Sequence, residues 1–180
     1  MVLNYNNISV NSLQFKNIKR LLIASFPSDE RRDMADYERI ARDNAKFSLL
    51  AAMNCNNFAG FISSWDFDRF SYVEHFAIES TLRGQGLGGQ LLSHFVATVG
   101  KPVILEVEPP ESEMARRRIA FYRRHGFKLW SEIDYVQPPY SPSQHALPMR
   151  LMTCGFTAAA QVSAAAREMK RVVYGVAADD

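Results

Sequence analysis

Only two cysteines, Cys55 and Cys154, occur in the 180 residues, and no CxxC pair is present. That spacing excludes a metal knuckle or a disulfide framework and makes a reducing, cytoplasmic setting the expectation. The histidines at 75, 94, 125 and 145 lie too far apart for a familiar zinc spacing, so no metal is expected. No apolar run approaches the ~18 residues of a membrane span. The opening "MVLNYNNISV" has neither a basic n-region nor a continuous apolar stretch, so no signal peptide is expected. Charge of one sign is also missing. With 21 basic and 19 acidic side chains the net charge is +2, which argues against a nucleic-acid or membrane partner. Repeats and low-complexity linkers are absent.

What remains is a globular composition, 47% hydrophobic and 22% charged, at a length that suits one domain over residues 1–180. Residues 12–26 repeat apolar side chains at helical spacing through Leu13, Ile18, Leu21, Leu22 and Phe26. "FPSDE" interrupts them, with Ser28 or Asp29 as N-cap of a polar helix running to about Asn44. Strand-like runs at 46–53 and 58–67 flank "NCNN" and predict a hairpin, and "SYVEHFAI" (71–78) predicts a third strand. From Gly86 the pattern turns helical, with Leu87, Leu91, Leu92, Phe95 and Val96 on one stripe as far as Gly100. "PVILEVE" (102–108) reads as a short buried strand. A helix with acids in front, bases behind and Gly126 at C′ follows. "FKLWSEIDYVQ" and "ALPMRLMTC" predict a closing antiparallel pair, and an alanine-rich helix spans about 156–174, with Phe156, Val162 and Met169 on its apolar side. The predicted fold class is mixed α/β (an α+β mixed sheet) in the order β-α-α-β-β-β-α-β-α-β-β-α, rather than strict βαβ alternation.

The glycines gather in "LRGQGLGG" (82–89), and this stretch fits two templates. As Gly84-x-Gly86-x-x-Gly89 it spells a dinucleotide fingerprint, and Glu106 and Glu108 stand about where a ribose-binding acid belongs. Its context departs from that template. "ESTLR" separates the strand from Gly84, the strand carries Glu74 and His75 where a doubly buried strand is apolar, and three strands precede the glycines. As Arg83-x-x-Gly86-x-Gly88 after a strand and a polar linker, the stretch resembles the central motif of the GNAT superfamily of N-acetyltransferases. "IAFYRRHGF" (119–127) resembles that superfamily's later motif, with one strand between the two. The motifs cover about 71–127, and the element order extends the likeness over most of the chain.

The resemblance implies the GNAT-like acyl-CoA N-acyltransferase fold and transfer of an acetyl group from acetyl-CoA to an amine by direct attack on the thioester. It implies cofactor contacts along Arg83, Gly84, Gln85, Gly86, Leu87, Gly88 and Gly89, where helix-start amides and the positive dipole end meet the pyrophosphate. Phe76, Ala77 and Ile78 are expected to bond the pantetheine arm and polarise the acetyl carbonyl. Glu74 is the candidate base. It shares a strand face with Tyr72, Phe76 and Ile78, where partial desolvation suits a proton acceptor, and His75 on the opposite face is the fallback. Tyr122 matches the family tyrosine that protonates the CoA sulfur; packing the helix on the sheet is its other reading.

Two positions depart from the family pattern. Ala115 stands where an asparagine often touches CoA, and Arg118 where alanine is usual, so the resemblance makes Arg118 a candidate contact for the cofactor's phosphates. The remaining arginines of this helix read as a solvated face. The acceptor is expected to be a small-molecule or peptide amine bound between "FPSDERRD" and "DYVQPPY", with Glu30 and Tyr140 as contacts. Many relatives pair, so a homodimer is open. A catalytically silent acyl-CoA-binding domain and a nicotinamide-binding oxidoreductase are the other readings.

Overall fold

The structure is a computed structural model, and it describes residues 3–177. Its elements follow the predicted order: β1 (Leu3–Asn7), α1 (Leu13–Ser25), α2 (Met34–Asp43), β2 (Phe47–Asn54), β3 (Asn57–Asp66), β4 (Ser71–Ile78), α3 (Leu87–Val99), β5 (Val103–Val107), α4 (Glu113–Arg124), β6 (Lys128–Gln137), β7 (Leu147–Cys154) and α5 (Ala159–Val173). The chain forms two compact units. The first holds the chain up to Asp66 together with Val73–Gly100; the second holds Phe67–Tyr72 and the chain from Lys101 onward.

In the first unit the strand order is β1-β2-β3-β4. β1 and β2 pair antiparallel, as do β2 and β3. The hairpin turns on Cys55 and Asn56, at φ 47° and 68°. Two left-handed residues in a two-residue loop match the right-handed twist of the flanking strands. Contacts from β3 to β4 advance in opposite senses, Glu79 N–H to the Ala59 carbonyl (2.9 Å) and His75 N–H to Ser63 Oγ (3.1 Å), so the meander continues antiparallel.

α1 begins where Ser12 Oγ accepts from Phe15 N–H and buries Phe15, Ile18, Leu21 and Leu22. Leu13, expected on that stripe, sits at the first helical position and is 77% exposed. The N-cap of α2 is neither Ser28 nor Asp29. Those residues make a 3-10 turn (Ser28–Glu30), and Asp33 caps the helix by accepting from Asp36 N–H at 2.8 Å. Pro27 favours the tight turn, and Asp33 is the acceptor placed three residues ahead of an open amide.

In the second unit β7 lies between β5 and β6 and pairs antiparallel with both. The register shifts between Trp130 and Tyr135. α4 packs on β5 and β6, and α5 on β6. Ser112 caps α4, and Gly126 follows it at φ 83°. α5 begins three residues later than expected. Phe156 precedes it and packs against Phe70 with ring centroids 6.1 Å apart.

Candidate active site

Gly84 and Gly86 adopt φ 76° and 77°, and a Cβ added at either would meet nothing within 4 Å. Backbone conformation, not crowding, therefore demands glycine at both places. Gly88 and Gly89 differ: both lie inside α3, where Gly89 is buried. Gly86 is the N-cap of α3, no side chain caps the helix, and no acid occupies its first turn. The leading amides and the positive end of the helix dipole thus face outward, an arrangement that suits an anion. A 3-10 turn (Ser80–Leu82) separates β4 from the glycines, so the strand does not run straight into the loop as a dinucleotide fold requires. Arg83 Nε donates to the Ile78 carbonyl at 3.0 Å, which braces the loop against the strand end while the residue stays exposed.

The end of β4 depends on a residue the sequence reading passed over. A Cβ on Gly60 would come within 2.4 Å of the Ala77 carbonyl oxygen and 2.6 Å of Ile78 Cδ1. Only glycine lets β3 lie this close to the Ala77–Ile78 segment. Its signal was available, since a glycine inside a strand pattern marks close backbone approach.

Glu74 lies in the same unit, and its surroundings differ from those expected. Its side chain is fully covered (0% exposed), with Oε1 at 3.4 Å from Arg32 Nη2 and Oε2 accepting from Trp65 Nε1 at 3.0 Å. The Arg32 guanidinium stands 5.6 Å from the Trp65 ring centroid. Strand alternation predicted that Glu74 and His75 point to opposite faces. The tips of the two side chains nonetheless come together, Glu74 Oε2 lying 4.0 Å from His75 Nδ1. The His75 main-chain N–H donates to Ser63 Oγ at 3.1 Å.

His75 is 2% exposed. Its Nε2 is 3.0 Å from the Glu30 carbonyl, which can only accept, so the proton resides on Nε2. Nδ1 then accepts from Ser63 Oγ at 3.2 Å. Burial lowers the His75 pKa, and the Arg32 and Arg31 charges lower it too, whereas Glu74 and the bond to Glu30 pull it upward. Phe26 meets the imidazole edge-on at 4.7 Å, and Arg31 Nε donates to the Phe26 carbonyl at 3.1 Å. The segment between α1 and α2 is thereby tied to β4 through Glu30, Arg32 and Phe26. Arg32 is a buried partner of Glu74 and of Asp36 (3.7 Å).

Tyr122 belongs to the second unit. It is 7% exposed, at the last turn of α4, with ring centroids 5.3 Å from Phe121 and 5.6 Å from Phe127. Burial pushes its pKa up to about 12, against a lowering by the Arg118 charge. Arg118 pairs with Glu108 at 2.6 Å, and Ala115 is buried.

The two acceptor candidates fall in different units. Glu30 meets β4 through its main-chain carbonyl. Tyr140 lies beside Tyr174, ring centroids 5.0 Å apart. Among the described residues no group of histidine, cysteine, aspartate and glutamate side chains could hold a metal ion, and no helix is long and apolar enough to cross a membrane.

A family model described as the Acetyltransferase (GNAT) family matches residues 15–127. A GNAT-family protein of Bacteroides thetaiotaomicron, provisionally assigned as an acetyltransferase, superposes with TM-score 0.91 at 39% identity; the match covers 97% of this chain and 99% of that one. YjbC of Bacillus subtilis (strain 168), also provisionally an acetyltransferase, is 38% identical over 72 residues, which is 39% of this chain but only 37% of that protein. A GNAT-family acetyltransferase of Elizabethkingia anophelis with acetyl-CoA bound shares the fold at TM-score 0.60 and 16% identity, over 86% of this chain and 98% of that one.

Proposed function

Because the chain belongs to the GNAT family of acetyltransferases, we propose that it moves an acetyl group from acetyl-CoA to an amine, with Glu74 and Tyr122 managing the protons. Acetyl-CoA would supply an activated acetyl thioester. The observation that carries the reading is the uncapped N-terminus of α3 behind two left-handed glycines, Gly84 and Gly86. The amides of that loop and first turn suit the pyrophosphate, with the Arg83 guanidinium adding charge beside them. Phe76, Ala77 and Ile78 are the proposed contacts for the pantetheine arm, on the segment that Gly60 lets β3 approach.

An alkylammonium has a pKa near ~10 and no nucleophilic lone pair, so the acceptor must lose a proton before it attacks. Glu74 is the proposed destination. With its carboxylate closed in by Arg32 and Trp65, it works at one remove, through an intervening water. His75 is the weaker candidate, since Nε2 is committed to Glu30 and Nδ1 to Ser63. Tyr122 Oη is the proposed proton donor to the departing sulfur. Its raised pKa keeps the phenol protonated through neutral pH, ready when the sulfur gains charge. Cys55 and Cys154, both unpaired as disulfides, suit a reducing cytoplasm.

Calorimetry with acetyl-CoA tests the cradle directly. The native chain should bind, and Gly86→Ala should weaken binding by about tenfold, because a left-handed non-glycine residue costs roughly 1–2 kcal/mol. Equal affinities in the two proteins would remove Gly86 from the site, and no heat with the native chain would remove the site itself.

A further inference from the structure

The second unit contains a polar cluster in which only Tyr140, an acceptor candidate, has a role above. Glu106 on β5 accepts from Tyr72 Oη at 2.7 Å and Tyr174 Oη at 2.9 Å, both on Oε2, and from Tyr135 Oη on Oε1. Tyr72 and Tyr174 hydroxyls are also 2.9 Å apart, and Tyr140 Oη extends the chain at 3.5 Å from Tyr174. The Tyr140 and Tyr174 rings stand 5.0 Å apart at 35°, and both residues, like Glu106, are half-buried. Tyr72 and Tyr135 close the cluster from inside, at 0% and 4% exposure. Lys170 Nζ stands 5.1 Å from the Tyr135 ring centroid, so one flank already carries a cation–aromatic contact.

Three phenol donors converge on one carboxylate. Burial, and then the Glu106 charge, raise the pKa of Tyr135 and Tyr174, so both phenols stay neutral. Carboxylate and aromatic faces together are the usual recognition chemistry for an organic ammonium.

We propose that Glu106, with Tyr72, Tyr135, Tyr140 and Tyr174 around it, binds a ligand that bears an organic ammonium group. The inference does not rest on the acetyl-transfer reading, and the cluster is tested separately.

The test titrates tetramethylammonium and, separately, acetyl-CoA into the full chain by calorimetry. Tetramethylammonium should bind, and Glu106→Gln and Tyr140→Leu should each weaken it at least tenfold with acetyl-CoA affinity unchanged. Tyr140 is half-buried, so its replacement keeps the test usable if Glu106→Gln fails to fold. No tetramethylammonium heat, or heat unchanged in both variants, overturns the proposal. Loss of acetyl-CoA heat in the native chain would instead strike the glycine-loop reading and leave the cation site standing on its own titration.

Discussion

Tyr122 shows how one residue's surroundings decide between two readings of a motif. Its burial against Phe121 and Phe127 is what a packing anchor needs, while its protonated phenol is what a proton donor needs. Tyr122→Phe separates them, because phenylalanine keeps the ring and removes only the proton. If Oη protonates the sulfur, kcat should fall about 10²-fold, the lower end of what a general acid supplies, with acetyl-CoA affinity unchanged. A kcat within twofold of native would reduce Tyr122 to an anchor. Glu74→Gln addresses the other proton. The amide keeps the shape and can still accept from Trp65, so a loss of about 10²-fold in turnover per folded molecule would mark the carboxylate as the proton acceptor. Unchanged turnover would leave Glu74 as the partner of Arg32 alone. Motif position singled out Tyr122, and its strand face Glu74, as the residues to question. It could not report that Glu74 is shut away, because that depends on Trp65 and Arg32.

At the scale of elements, the tie between β4 and the α1–α2 segment makes two predictions. Arg32 and Glu74 are 6% and 0% exposed in their side chains, so removing one leaves a buried charge with reduced compensation. Arg32→Leu should destabilise the fold by about 3–5 kcal/mol, measured by urea unfolding; a loss under 1 kcal/mol would show that water reaches the carboxylate. His75 supplies a pH signature. Its folded pKa lies below the unfolded value of about 6.5, so the unfolded chain binds the proton more readily. The stability contribution is complete above that unfolded value and is lost as pH falls through the folded one. Native protein should therefore lose more Tm than His75→Gln between pH 7 and pH 5. Parallel curves would place the imidazole in contact with solvent. Strand alternation expected Glu74 and His75 on opposite faces, and it does not report that their side-chain tips come within 4.0 Å.

For the whole molecule, a ligand that binds only the folded chain raises its stability by about 2.7 kcal/mol at a hundredfold excess over Kd. For a chain of 180 residues that is a Tm increase of roughly 5–10 °C with acetyl-CoA, and a nicotinamide dinucleotide should give none. The reverse result would transfer the glycine loop to the dinucleotide template. The order of strands and helices, the amphipathic faces and the glycine-led start of α3 were legible in the sequence because each is local. Periodicity sets a helix, and a left-handed glycine ahead of an uncapped first turn exposes amides whatever the rest of the chain does. Only the tertiary structure decided which charges meet. Arg32 reaches Glu74 across the chain, Gly60 admits Ala77, and Glu106 gathers tyrosines from Tyr72 to Tyr174. Those partners are far apart in sequence, and only packing of the elements brings their side chains within hydrogen-bonding range.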